Sequence, residues 1–151
     1  MLRFRVSIFF FMYSSCIYTQ IDTARHFLPV SSILEVVDAM SYLKLNTLHL
    51  HLSDDDSFSF FVPAFPRLSA TGSYSNISHV HSPADLKSIV AFARLRGVRI
   101  VPEFDTPAHF STLVNAYPEY MASAGEQVPA ALRRALVLAV MRFISFCSRC
   151  E

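Results

Sequence analysis

From Ile21 onward the chain cycles through an extended run, a polar loop, a capped helix and another extended run. Asn46-Thr-Leu-His-Leu-His-Leu52 alternates strictly, putting Leu48, Leu50 and Leu52 on one face of a strand and His49 and His51 on the other. Upstream, Ser32-Ile-Leu-Glu35 has the form of a capping box, in which serine and glutamate satisfy orphan amides at a helix start. Ile33, Val36, Val37, Met40 and Leu43 then recur at helical spacing, and this helix is expected to end near Lys44. Ser82-Pro83-Ala84-Asp85 starts a second helix, with serine as cap and proline at the first helical position. Leu86, Ile89, Val90 and Ala93 form its apolar stripe. Arg94 and Arg96 suit the negative end of its dipole, and Gly97 supplies a left-handed stop. Val98-Arg-Ile-Val101 is then a short strand running on toward Glu103. The stretch from Ser53 to about His81 reads as a loop, with His79 and His81 facing solvent. A last helix is expected over Val128–Phe146, where Arg133, Arg134 and Arg142 argue against a membrane span.

Strands alternating with helices imply crossover connections and a parallel sheet, here of at most three βα units. The fold class is therefore α/β. With 52% hydrophobic and 17% charged residues over 151 positions, the chain has the composition of a folded domain rather than a disordered one. A net charge of +1 without a basic tract gives no nucleic-acid surface. Phe is abundant while Trp is absent, which counts against a complete carbohydrate site, since sugars commonly stack on indoles.

The ends differ in character from the middle. Arg3 and Arg5 precede the apolar run Val6–Tyr13, the pattern of a secretory signal, although no small-x-small cleavage site follows. That run is too short to span a bilayer. Asn76-Ile77-Ser78 is a glycosylation sequon that agrees with a secretory route. Cys16, Cys147 and Cys150 lie near the two termini, and the lone Cys147-Ser-Arg-Cys150 reads as incidental thiols. The expected organisation is a signal-like or extraneous segment at 1–20, a segment of βα units at 21–124 and an unrelated helical tail at 125–151.

Chemistry gathers just past each strand. Asp22-Thr-Ala-Arg25-His26 follows the first, His51 with Asp54, Asp55 and Asp56 the second, and Glu103, Asp105 and His109 the third. In parallel α/β folds ligands bind outside the carboxyl ends of the strands, and in barrels those loops build the active site. Arg25, directly after a strand, is placed to grip sugar hydroxyls or a carboxylate with its rigid fork. Asp56 reads as a solvated turn residue, and His49 and His51 as satisfied histidines of a barrel interior.

Asp22-Thr-Ala-Arg25-His26-Phe-Leu-Pro29, Lys44-Leu-Asn46, His49-Leu-His51-Leu-Ser-Asp54-Asp55 and Glu103-Phe-Asp105-Thr-Pro-Ala-His109 stand in an order and spacing that resemble the β-N-acetylhexosaminidases of glycoside hydrolase family 20. The resemblance runs from about Ile21 to about Tyr120. It implies a partial TIM (β/α)8 barrel of about three βα units, followed by a C-terminal helix foreign to the family. It implies retaining hydrolysis in which the substrate's acetamido oxygen attacks the anomeric carbon, the exception to the two-carboxylate scheme. In the family an Asp polarises the acetamide and the adjacent Glu protonates the leaving oxygen. No adjacent Asp-Glu occurs in this chain, so it is expected to be inactive by itself.

Residue by residue, the resemblance makes Arg25 the substrate-binding arginine. Asp54 and His109 become supports hydrogen-bonded beneath the catalytic Glu, with Asp105 and Glu103 as further supporting residues. It implies no cofactor or metal; no nucleic-acid partner and no membrane span are expected. The substrates it implies are glycans ending in N-acetylglucosamine or N-acetylgalactosamine, met in the lysosome or outside the cell. Oligomeric state leaves no mark on the sequence. Leu50 stands where the family often has Trp, and Ala108 where it has Gly, which adds a methyl at a tight turn. Two other readings compete. One is a metal-dependent barrel hydrolase using His49 and His51; the other is a truncated product that never folds, its sheet edges left raw.

Overall fold

A strand with one leucine face and one histidine face fits between an apolar helix layer and a polar interior. The computed structural model describes residues 17–105, 109 and 111–118 and shows this arrangement. Strands β1 (Tyr18–Asp22), β2 (Thr47–His51) and β3 (Arg99–Glu103) pair in parallel in the order β1-β2-β3. Their register sets Asp22 beside His51 and His51 beside Glu103, so all three strands end in one row. β1 starts at Tyr18, which makes Tyr18–Gln20 part of the sheet.

Helix α1 (Val30–Tyr42) links β1 to β2, and α3 (Pro83–Arg94) links β2 to β3. Ile33, Val37 and Met40 of α1 and Leu86, Ile89 and Ala93 of α3 share one core with Leu48, Leu50 and Leu52. Each fully buried side chain of leucine size contributes about 1.5–3 kcal/mol over leaving it in water. Arg96 Nε lies 2.6 Å from Asp38 Oδ1, joining the two helices at their outer side.

The helix starts differ from expectation in one case. α1 begins at Val30 behind Pro29, and no side chain caps it; the Ser32 amide donates to the Pro29 carbonyl at 3.0 Å. Proline's fixed φ and free carbonyl open the helix earlier than the Ser32–Glu35 box does, leaving Ser32 inside the first turn. Leu43, expected on the apolar face, is 70% exposed because it lies past the last turn, while Leu34 and Val36 flank the core. At α3 the box is real, between Ser82 and Asp85: each side chain bonds the other's backbone N–H, at 3.1 and 2.7 Å. The amide and hydroxyl of Ser82 hold the Asp85 carboxyl below its ordinary range. Gly97 takes the left-handed stop at φ 68°.

The stretch expected as loop contains a short helix, α2 (Pro66–Gly72), and another, α4 (Thr112–Ala116), follows β3. The two touch so closely that a methyl on Gly72 would lie 3.0 Å from Thr112 Cβ. Phe58 and Phe60 stack around Phe104 at 5.7 and 5.6 Å between ring centres, closing the carboxyl end of the sheet.

His79 is exposed as expected, but His81 is not: it is 1% exposed, its ring 4.7 Å from that of Phe27. Its amide donates to the Ser59 carbonyl at 2.8 Å, pinning it to the inner side of the loop. The apolar N-terminal run, Ala108, the helix expected over Val128–Phe146 and all three cysteines lie outside the described residues. Among the described residues no helix is long and apolar enough to cross a membrane.

Burial pushes the His81 imidazole down from 6.5 to about 4, against a smaller upward pull from Asp85. The unfolded chain therefore takes up a proton between these values that the folded chain refuses. Stability is expected to fall as pH drops from 6.5 to 4, by about 3 kcal/mol from this group. Urea unfolding of His81→Phe and wild type at pH 7 and pH 4.5 checks this. The variant should lose less on acidification, whereas equal losses would place the titration elsewhere.

Candidate active site

Because the strands are parallel and end in register, three loops leave the sheet side by side, and each carries a charge. After β1, the Asp22 carboxylate accepts from the amides of Ala24 and Arg25 at 3.1 and 2.9 Å and from Arg25 Nη1 at 2.6 Å. This turn points the guanidinium toward β2. There Arg25 Nη2 lies 2.8 Å from Asp54 Oδ1, and His109 Nδ1 approaches the same oxygen at 2.9 Å. Neither approach to Oδ1 is aligned as a hydrogen bond, so the Arg25 contact is governed by charge rather than alignment. Arg25 Nη2 and His109 Nδ1 are themselves 3.5 Å apart.

Asp54 is buried, its side chain 5% exposed, while those of Arg25 and His109 are 46% and 42% exposed. The carboxylate lies at the bottom of a basin and the two nitrogen-bearing groups form its walls. Its backbone is fixed from below, where the Asp54 amide donates to the Ser57 carbonyl at 2.9 Å and the Ser57 hydroxyl donates to the Ala24 carbonyl. Burial would lower the Arg25 pKa, but the Asp22 hydrogen bond and the charges of Asp22, Asp54 and Asp56 outweigh it, so the guanidinium stays charged. His109 holds φ at 55°, a left-handed conformation costing about 1–3 kcal/mol in a residue with a side chain.

The structure thus brings Arg25, Asp54 and His109 together. Glu103 and Asp105 stand apart from them. Glu103 Oε2 lies 2.6 Å from His49 Nε2 and 2.7 Å from His51 Nδ1, spanning two histidines on the face away from α1 and α3. Burial would raise the Glu103 pKa, but the His51 hydrogen bond and the two imidazoles lower it below the ordinary value. Asp105 is held through its backbone, its amide donating to Ser53 Oγ at 2.8 Å. His49 and His51 are thus engaged by a carboxylate, and among the described residues no three His, Cys, Asp or Glu are grouped to hold a metal.

Sequence reasoning assigned no role to three contributors. Asp22 orients Arg25, and its Asp-x-x-Arg spacing after a strand was the available signal. Asp55 accepts from the amide and hydroxyl of Ser111 at 2.9 and 2.7 Å, tying the third loop to the second. Tyr74 donates its hydroxyl to the Arg25 carbonyl at 3.3 Å. Burial, then the nearby Asp56, Asp54 and Asp22, raise that phenol's pKa. Nothing local in the sequence marks Tyr74.

A polar basin at the carboxyl ends of parallel strands, walled by an arginine and floored by a buried Asp, lies where a βα-barrel builds its active site. The catalytic-domain model of glycosyl hydrolase family 20 matches residues 18–140, and the chain belongs to that family. It is 56% identical over 89 residues to the β-hexosaminidase β subunit of Felis catus, and 54% identical to that of Homo sapiens. Each match covers 59% of this chain but only 17% and 16% of those relatives, so the matched segment is a small part of their length. Among solved structures, the β-N-acetylhexosaminidase of Bacteroides fragilis superposes with TM-score 0.72 at 27% identity, covering 83% of this chain and 29% of that one. That of Streptomyces coelicolor superposes with TM-score 0.74 at 25% identity, covering 89% and 31%. These barrels make the three-stranded sheet a partial barrel, as expected.

Glu103→Gln keeps the shape of the double histidine contact and removes its charge. It is expected to destabilise the chain by about 1 kcal/mol at pH 7, below the ordinary range for a charged hydrogen bond because Glu103 is partly solvated and screened. A lowered folded pKa contributes stability that is fully present above the unfolded value of 4.5 and is lost as pH falls from there through the lower folded value. The gap between variant and wild type should therefore narrow as pH falls below 4.5 in urea melts. A gap that is constant with pH would show that the carboxylate's charge is immaterial.

Proposed function

We propose that this chain supplies the sugar-gripping wall of a retaining β-N-acetylhexosaminidase, which removes terminal N-acetylglucosamine or N-acetylgalactosamine from glycans. The observation that carries this reading is the convergence of Arg25, Asp54 and His109 at the carboxyl ends of the strands. Arg25 has two of its nitrogens on Asp22 and Asp54, which fixes the plane of the fork. Its remaining N–H groups then meet sugar hydroxyls without a search over rotamers. Asp54 as floor and His109 as wall support the acid catalyst from beneath. In the substrate-assisted scheme the acetamido oxygen is the nucleophile, so this wall has only to orient the ring and exclude alternatives. Terminal glycans of this kind are met along the secretory route, where we place the protein.

The acid and the acetamide-polarising residue of the scheme form an Asp-Glu pair, and the 151 residues contain none. The chain alone is therefore expected to leave a chromogenic N-acetylglucosaminide intact, since positioned acid catalysis contributes about 10²–10⁴-fold. Turnover abolished by a hexosaminidase inhibitor would overturn that. The binding role is tested in a chimera in which the matched 89-residue segment replaces its counterpart in the human β subunit. There Arg25→Lys keeps the charge and loses the fork, and should lower kcat/KM by about 1.5–3 kcal/mol, at least tenfold. An unchanged kcat/KM would make Arg25 structural.

A further inference from the structure

Asn76-Ile77-Ser78 is the chain's one Asn-x-Ser/Thr triplet, and the site above makes no use of it. It forms the tip of the loop between β2 and α3. The Ser78 amide and hydroxyl reach Ser75 Oγ at 3.3 and 3.1 Å, and the His79 amide donates to the Ser75 carbonyl at 2.9 Å. The Ser78 hydroxyl also lies 2.8 Å from His79 Nδ1. These bonds close a turn whose residues 76–79 are all exposed. Both flanks are anchored, one by Tyr74 on the Arg25 carbonyl and the other by His81 beneath Phe27. The turn is thus presented outward on a fixed base. Among the described residues no hydrogen bond engages the Asn76 side chain. Its neighbour Ile77 is 90% exposed, a large apolar group that the apolar face of a sugar ring would shield.

We propose that Asn76 carries an N-linked glycan, added in the secretory lumen to which the basic and apolar run Arg3–Tyr13 delivers the chain. The co-reactant is a lipid-diphosphate-linked oligosaccharide. A bond forms between the Asn76 amide nitrogen and the anomeric carbon of the first sugar. The bond from that carbon to the diphosphate breaks, the lipid diphosphate leaves with the electron pair, and the amide gives up one proton. The middle position is isoleucine rather than proline, so the triplet meets the acceptor rule. The proposal rests on the secretory location given above and goes beyond it by naming the residue modified.

The test is translation of the full chain with endoplasmic-reticulum microsomes, followed by protease treatment and gel analysis. The expected product is protease-protected and heavier by one glycan. That step should disappear with endoglycosidase H, with Asn76→Gln and with Ser78→Ala, and should persist with Ser78→Thr. A protected chain of unshifted mass would overturn Asn76 as an acceptor while leaving the location standing. An accessible, unshifted chain would overturn the proposal through the location itself. A shift surviving in Asn76→Gln would place the glycan elsewhere.

Discussion

The buried carboxylate of Asp54 is the constraint around which the carboxyl end of the sheet is arranged. An ionised group with 5% of its side chain exposed is expensive to keep unless cations or donors meet it. Two arrive from separate loops, Arg25 from behind β1 and His109 from behind β3, and a turn closed by Ser57 secures its backbone from below. The Arg25 and His109 side chains remain half in water, so the pairing avoids the full desolvation penalty of a buried ion pair. That half-exposure is also what leaves Arg25 able to meet a ligand.

This arrangement depends in turn on register. Parallel pairing sets Asp22, His51 and Glu103 in a row, and the next residues of each chain leave the sheet at one end. The leucines of β2 drive that registration, because shifting the strand by one residue would carry Leu48, Leu50 and Leu52 out of the core and His49 and His51 into it. Core and site are thus settled by the same seven-residue alternation. The His49–Glu103–His51 contact is the polar counterpart of the leucine core on the other face of the strand.

Much of this was legible from the residues. The leucine–histidine alternation gave β2 and its faces, and Ser82 with Asp85 gave the start of α3. The spacing of Arg25, Asp54 and His109 past successive strands, together with the resemblance to family 20, gave the basin. Where the sequence misled, a tertiary partner decided the outcome. Ser32–Glu35 has the letters of a capping box, but Pro29 had already opened the helix. His81 lies in a polar stretch, yet its burial comes from Phe27, 54 positions away in the chain. α2 is too short to show a period and exists against α4 and the phenylalanine cluster. Tyr74 and the double role of Glu103 are contacts between elements, which no window along the chain displays.

The account turns on Arg25 and Asp54 acting as one unit rather than as two separate surface charges. A double-mutant cycle on the stability of this chain, with Arg25→Ala, Asp54→Ala and the pair together, measures that directly. Coupling of about 0.5 kcal/mol or more is predicted, diminished but not abolished by salt, because one partner is buried. Effects that add to within about 0.3 kcal/mol would mean the two residues ignore each other, and the basin would lose its organising contact.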